Sequence, residues 1–312
     1  MDSLAHWIGF NAFVLFAIFL DLGVFHRRPH KIRLREAVIW SAVWILLALA
    51  FGAVVYHYYG KQPALEYYTG YLIEKALSID NLFIFLVIFH AFSVEPEFQQ
   101  RVLGWGILGA LIMRGIMIAA GAELISRFDW ILYIFGAFLV YVGGHMLFAK
   151  QAEAHPEKNF FVRYFARHLR MTKSYRGKNF FVRENKRLYA TPLLLVLIVV
   201  EIVDVTFALD SIPAIFGITR DPFIVYTSNI FAILGLRALY FLLAGVLHRM
   251  AYLKYGLALV LVFIGAKMIA ERWVHVPVDI SLAIVVGILA IAVIASLFAK
   301  PEKGLTEKGV RD

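Results

Sequence analysis

The sequence contains no cysteine in its 312 residues. Thiolate metal sites, thiol redox chemistry and disulfide bonds are therefore excluded for this chain. Charged residues are also scarce, at 17% of the chain, whereas soluble globular proteins have about 25%. The sequence has no phosphate-binding loop of the P-loop type either, so no motif predicts chemistry driven by nucleotide hydrolysis.

Long hydrophobic runs dominate the sequence, since 61% of its residues are hydrophobic and its mean hydropathy is +0.74. A transmembrane helix needs about 20 mostly apolar residues. The runs predict an all-α fold: a polytopic bundle of about nine transmembrane helices that forms a single transmembrane domain over residues 1–312. The predicted spans are 4–25, 36–59, 67–92, 102–122, 129–149, 190–213, 222–247, 251–271 and 279–299.

Basic residues predict how these spans are oriented. Most of the 31 lysines and arginines fall in alternate loops, above all in 150–189 and 26–35, and also in the tail at 300–312. Because loops rich in lysine and arginine stay in the cytoplasm, we predict an outside N-terminus, a basic cytoplasmic loop at 150–189 and a cytoplasmic tail at 300–312. The net charge of +9 is then a topology signal. It favours contact with anionic lipid of the bilayer, and we expect no nucleic-acid partner.

Internal similarity predicts a repeat. Three matches recur in order at offsets of 122 to 124 residues: VYVGGHM at 140–146 with VFIGAKM at 262–268, Arg114 with Arg237, and DNLF at 80–83 with DVTF at 204–207. The repeating unit holds three spans, so its two copies cross the membrane in opposite directions. Inverted repeats of this kind are typical of secondary transporters, whose binding sites lie near the membrane midplane between the repeats.

The repeat divides the chain into segments. Repeat one is predicted at 66–149, with spans three to five, and repeat two at 190–271, with spans six to eight. Residues 1–59 are then two peripheral N-terminal spans, and 279–299 is the last span.

Spans three and six carry acidic residues inside the membrane, where ionisable groups are costly and usually functional. Asp80 and Asp204 match in the repeat and fall near the middle of their spans, and Glu201 shares a helix face with Asp204. The predicted metal ligands are Asp80, Asp204, Glu74, Glu201, Asp210, Asn81 and Ser211. Oxygen ligands of this kind suit magnesium, calcium and manganese.

Pro213 is predicted to kink or break the sixth span, and a break would turn Asp210 inward and free backbone carbonyls for coordination. In the third span, Glu74 and Asp80 are about 120° apart on a regular helix. That span is therefore either irregular, or its two acids belong to different coordination shells.

Three basic residues, Lys75, Arg114 and Arg237, also fall within spans and are predicted to be structural ion-pair partners of the acids. Five acids against three bases leave a charge of −2, which one divalent cation would cancel. Burial can instead protonate a carboxylate, because it raises the pKa of such a group. An alternative interpretation is that these buried acids and bases form structural ion pairs between helices.

Two acidic segments resemble the signature segments of the TerC family: GYLIEKALSIDNLFIF at 70–85 and EIVDVTFALDSIPAIF at 201–216. The run FDWILYIFG at 128–136 and the stretch 228–240 are similar to the Alx branch of that family. The resemblance covers nearly the whole chain, and it implies kinship with LysE-type exporters.

What the resemblance implies is a bacterial inner-membrane protein connected with manganese efflux. The older family label is tellurium resistance, and the Alx branch is associated with the alkaline response and with redox modulation. Related members are linked to loading manganese onto secreted enzymes beside the secretion machinery. Direct tellurite handling is disfavoured here because midplane acids repel an anion, and redox chemistry because the chain lacks cysteine and a credible pair of axial histidines.

The leading hypothesis is a secondary transporter, and not an enzyme, that exports manganese(II) or a similar hard divalent cation and has no tightly bound cofactor. Protons are predicted to drive export, with Glu74, Glu201 or Asp210 as the carrier. One alternative is a calcium or cation–proton exchanger of the same fold. Another is a non-transporting membrane partner of the stress or secretion machinery, which would dock through loop 150–189.

Overall fold

A computed structural model of the chain describes residues 4–21, 34–128, 130–148, 171–172, 174–184, 187–243, 252–274 and 276–298. Ten α-helices and one β-hairpin make up these ranges. The helices are α1 (Leu4–Phe19), α2 (Leu34–Tyr59), α3 (Lys61–Ala91), α4 (Pro96–Arg127), α5 (Ile131–Phe148), α6 (Pro192–Phe216), α7 (Pro222–Leu234), α8 (Leu236–Leu243), α9 (Leu253–Ala270) and α10 (Val278–Phe298).

The all-α polytopic bundle predicted from the hydrophobic runs is confirmed. Seven helical segments of the described residues are long and apolar enough to cross a membrane, and α7 and α8 together form one of them. Helix α1 has only 16 residues, and α3 carries the acidic and basic residues of the third span. The count of nine spans therefore stays a prediction.

Local sequence explains where several helices begin. Proline occupies the first turn of α4, α6 and α7, where its missing N–H would have no partner inside the helix anyway. The carboxylate of Asp221 caps α7 by accepting hydrogen bonds from the backbone N–H groups of Phe223 and Ile224. Helix α3 follows Gly60, whose φ of +87° is a conformation that glycine adopts readily.

Pro213 does not break its helix, so that part of the prediction was wrong. Helix α6 continues through Pro213 to Phe216 and replaces the predicted span 190–213. A proline inside a helix removes one hydrogen bond, the one to the carbonyl four residues earlier. Only one turn follows Pro213, and the backbone N–H of Gly217 still donates to the Pro213 carbonyl at 3.0 Å.

The segment 222–242, formed by α7 and α8, lies at the centre of the bundle. All of its most apolar window is buried inside the protein, whereas the other six candidate spans are 28–56% buried. Helices α2, α3 and α4 pack around it. A central helix without a lipid-facing side can carry polar residues, provided that neighbouring helices satisfy them.

Four helix contacts follow the pattern that a two-fold repeat of these segments requires. The repeat exchanges α3 with α6, α4 with the α7–α8 segment, and α5 with α9. This exchange leaves the pairs α3–α6 and α5–α9 unchanged and converts α3–α7 into α4–α6. All four of these pairs are packed together.

Helices α5 and α9 approach most closely at glycines. A methyl group on Gly136 would lie 2.8 Å from the carbonyl oxygen of Gly265, and one on Gly143 would lie 2.6 Å from the carbonyl oxygen of Ala258. The offset of 122 matches Gly143 with Gly265 and Gly136 with Ala258, so it converts one contact into the other. The repeat, with its limits at 66–149 and 190–271, stays a prediction that these contacts support.

A β-hairpin lies at the end of the segment predicted as a basic loop at 150–189. The residue pattern did not predict these strands. Strands β1 (Phe181–Glu184) and β2 (Arg187–Ala190) pair antiparallel. The preceding turn is held to the end of α3, because the Tyr175 hydroxyl donates to the Phe92 carbonyl at 2.6 Å. The tail predicted at 300–312 and residues 150–170 lie outside the described residues.

Replacing Gly143 with alanine should force α5 and α9 apart, because the added methyl group would overlap the Ala258 carbonyl. We expect a loss of about 1–3 kcal/mol of stability, seen as a lower thermal unfolding temperature of the purified protein in detergent. Gly144→Ala is the matched control, since a methyl group there meets nothing within 4 Å. Equal unfolding temperatures for the two variants would contradict the close packing.

Candidate functional site

A buried arginine on α4 joins three other helices. The Arg114 side chain forms a bidentate ion pair with Asp204 of α6, with Nε–Oδ2 and Nη2–Oδ1 distances of 3.1 and 3.0 Å. Its Nη1 also donates to Glu74 of α3 and, at 3.1 Å, to the amide oxygen of Asn229 of α7. Arg114, Glu74 and Asn229 are completely buried, and Asp204 is 5% exposed.

Asn229 completes the cluster. Its amide oxygen accepts from Arg114, and its amide nitrogen donates to the second oxygen of Glu74 at 3.0 Å. Asn229 was not among the ligands or ion-pair partners predicted from the sequence. The available signal was an amide side chain inside an otherwise apolar span, because such a group must find partners within the protein.

The cluster has more negative than positive charge. Two carboxylates face one guanidinium, so the ionised cluster has a formal charge of −1. Buried charges are tolerated when they are paired and hydrogen-bonded, and the bidentate arginine–carboxylate geometry is the strongest form of such pairing. The Arg114 cluster, meaning Arg114, Glu74, Asp204 and Asn229, therefore links α3, α4, α6 and α7.

Glu201 adds a second carboxylate beside Asp204. It lies one turn earlier on α6 and is partly exposed, and it has no hydrogen bond or ion pair with any residue that the structure describes. Glu201 and Asp204 both line a small cavity of about 20 Å³ together with Gly106 and Ala110 of α4. That volume is enough for about one water molecule or a small ion.

A glycine on α4 makes room for the Glu201 carboxylate. A methyl group at Gly109 would overlap both carboxylate oxygens of Glu201. Gly106 faces the same carboxylate at ordinary contact distance, 3.6 Å for an added methyl group. The small residues of α4 therefore let an acidic side chain lie between α4 and α6.

The remaining predicted ligands are placed differently. The Ser211 hydroxyl is buried without a hydrogen-bond partner, two turns along α6 from Asp204. Asn81 is 3% exposed. Asp210 is half-buried and has no partner among the described residues. The Asp80 backbone belongs to α3, but its side chain lies outside the described set.

The predicted ligands are not assembled into a metal centre. Among the side chains that the structure describes, no group of three or more histidine, aspartate or glutamate residues is arranged to hold a metal ion. A guanidinium lies between Glu74 and Asp204 instead. The predicted ligand set therefore stays a prediction.

The other two basic residues lie outside the Arg114 cluster. Lys75 donates a hydrogen bond to the Ala232 carbonyl of α7 at 3.1 Å. Arg237 of α8 forms an ion pair with Asp21, just after α1, at 2.7 Å. Arg114 thus joins helices within the two predicted repeats, whereas this pair ties repeat two to the first helix.

Comparisons with known proteins agree with the sequence resemblance. A family model described as "Integral membrane protein TerC family" matches residues 59–304. The chain is 50% identical over 291 residues to an uncharacterised membrane protein of Myxococcus xanthus, with 93% of this chain and 91% of that protein covered.

An Escherichia coli (strain K12) protein, named as a candidate membrane-bound redox modulator, Alx, is 51% identical over 297 residues, with 92% of both chains covered. A membrane protein of Rickettsia bellii is 40% identical over 294 residues, covering 94% of this chain and 97% of that protein. No solved structure matches the chain.

Removal of the Arg114 charge should destabilise the protein strongly. Arg114→Met would leave Glu74 and Asp204 buried without their counter-charge, and we expect a loss of about 3–5 kcal/mol. The measurement is denaturant unfolding of the purified protein in detergent micelles. Arg127→Met is the matched control on the same helix, because its ion pair with Glu123 is exposed and should contribute at most about 1 kcal/mol. Similar losses in both variants would contradict the central role of Arg114.

Proposed function

We propose, from the premise that this chain belongs to the TerC family of integral membrane proteins, that it is a secondary transporter that exports manganese(II). The observation that carries the proposal is the carboxylate of Glu201, which has no partner among the described residues and shares a small cavity with Asp204. A carboxylate without a partner inside a membrane protein is costly. A bound cation would remove that cost.

In this proposal, the Arg114 guanidinium supplies the positive charge that pairs with Asp204 when no cation is bound. It satisfies both oxygens of Asp204 while the cavity is free of metal. An arriving divalent cation competes with the guanidinium for Asp204 and recruits Glu201 from the same helix. Glu74 and Asn229 retain Arg114 meanwhile, since they hold its other nitrogen. The return of Arg114 to Asp204 then favours release of the cation.

The ligand chemistry selects a hard ion. Carboxylate oxygens come from Asp204 and Glu201, and the buried Ser211 hydroxyl without a partner lies on the same face of α6 as Asp204. Oxygen ligands suit manganese, calcium and magnesium, and the chain has no thiolate for softer ions. Manganese(II) is the proposed substrate. Calcium is the alternative substrate, which would make the protein an exchanger of the same fold.

The proposed orientation follows the distribution of basic residues. The protein would lie in a bacterial inner membrane with an outside N-terminus and a cytoplasmic C-terminus. The exchanged helix contacts support two inverted halves. Rocking of one half against the other would expose the Glu201–Asp204 cavity to each side in turn. The "redox modulator" name belongs to relatives, and movement of a redox-active metal would connect that name to transport.

Loss of either cavity carboxylate should abolish export. Asp204→Asn and Glu201→Gln keep side-chain shape and remove the charge that a hard cation needs. We expect each to reduce manganese flux at least about tenfold, and Asp80→Asn, at the matching position of the repeat, to do the same. The measurement is uptake of manganese, calcium, magnesium and zinc into proteoliposomes that contain the purified protein.

The matched control is Glu123→Gln, which alters an exposed carboxylate on α4 outside the cluster. Its flux should equal that of the unaltered protein. If the unaltered protein moves none of the four metals, the transport proposal fails. In that case the non-transporting stress or secretion partner becomes the better hypothesis.

Proton coupling is the second prediction for transport. Three acids were proposed as proton carriers. Glu74 forms an ion pair with Arg114 and accepts a hydrogen bond from Asn229, whereas Glu201 and Asp210 have no partner among the described residues. A proton that competes with the metal for Glu201 gives antiport. We therefore expect manganese flux to accelerate when protons can move in the opposite direction. Equal flux at every imposed pH difference would instead indicate a uniport.

A further inference from the structure

A second polar cavity lies at one end of the bundle, where α3 and α10 begin and α6 and α9 end. Its volume is about 440 Å³, which is in the range of small-molecule binding sites. Its charged lining residues are Glu66, Arg220, Lys267, Glu271 and Arg272. Three of these are basic and two acidic, so this cavity has the opposite charge balance to the Arg114 cluster.

Lys267 is the unusual residue of this cavity. It is 6% exposed, and it makes no hydrogen bond or ion pair with any described residue. Glu271 and Glu66 attract it electrostatically, but neither lies within ion-pair distance of it. A charged side chain with so little exposed surface is costly unless its charge is compensated. The cavity that it lines is where a compensating negative charge can be placed.

The two acidic side chains of the cavity, Glu66 and Glu271, already interact with other residues. The Glu66 carboxylate accepts hydrogen bonds from the Gln62 amide at 3.1 Å and from the Thr219 hydroxyl at 2.6 Å. Glu271 also has an interaction partner. Arg272, by contrast, is exposed and has no partner among the described residues. With three basic and two acidic side chains, the lining of the cavity has a net formal charge of +1.

We propose that this cavity binds a small oxyanion, whose negative charge pairs with the ammonium group of Lys267 and with the guanidinium of Arg272. Charge-assisted hydrogen bonds from both groups provide the recognition. The anion is either free in solution or the phosphate of a lipid headgroup, because the cavity lies at the end of membrane-spanning helices. This binding does not depend on metal transport.

The test uses the purified full-length protein in a detergent without phosphate, titrated calorimetrically with inorganic phosphate against sodium chloride of equal ionic strength. The unaltered protein should bind phosphate saturably. Lys267→Met keeps the length of the side chain and removes its charge, so binding should weaken at least about tenfold. Lys254→Met is the matched control, because Lys254 lies in the first turn of the same helix and does not line the cavity.

Arg272→Gln keeps the test decisive if the Lys267 variant does not fold, since Arg272 is exposed and its replacement leaves the core intact. It should weaken phosphate binding several-fold. Asp204→Asn should leave phosphate binding unchanged, which separates this proposal from the transport proposal.

A second arm replaces inorganic phosphate with a short-chain phosphatidylglycerol. Binding of free phosphate that depends on Lys267 supports a soluble anion, and binding of the lipid alone with the same dependence supports a headgroup. The proposal is overturned if neither ligand binds more strongly than chloride does. It is also overturned if the Lys267 and Arg272 variants both bind as the unaltered protein does.

Discussion

The pairing of Arg114 with Asp204 and Glu74 is the constraint on which the rest of the bundle depends. One guanidinium has to satisfy two carboxylates that α6 and α3 bring into an apolar interior, and water cannot replace it there. Asn229 fills the remaining hydrogen-bonding positions. Since each partner comes from a different helix, the arrangement fixes the relative positions of all four helices. In the proposed transport cycle, an arriving cation would displace the Arg114 guanidinium from Asp204.

Close helix packing supports this electrostatic centre. Gly109 lets Glu201 lie against α4, and Gly136 and Gly143 let α5 approach α9. In a bilayer, helices gain little from hydrophobic association, so contact between small residues has a large share in holding them together. Small residues therefore allow close packing both around the acidic centre, at Gly109, and between α5 and α9.

The helical fold and several residues of the site could be predicted from the sequence, because long hydrophobic runs in a bilayer form transmembrane helices. Apolar length and charge placement were enough to predict the helices and to single out Glu74, Arg114 and Asp204. The partners of Arg114 could not be predicted, since side-chain reach across helices depends on helix rotation that no residue pattern specifies. Asn229 was missed for that reason. The break predicted at Pro213 was wrong because a proline within one turn of a helix end removes little of the helix's hydrogen bonding. The β-hairpin at 181–190 was missed because its strands, of four residues each, are too short for a clear alternating pattern.

The central position of α7 also has a consequence for biosynthesis. The segment 222–242 has a mean hydropathy of 1.4, the lowest among the seven candidate spans, and it is the one that is buried throughout. Its Thr227 and Ser228 hydroxyls donate back to the carbonyls of Phe223 and Ile224, which lessens the cost of placing them in lipid. Asn229 has no such local partner and relies on α3 and α4. Those helices are made first, so a nascent chain can offer the amide a partner as soon as it leaves the ribosome. The order of helices along the chain thus provides for the insertion of its most polar central span.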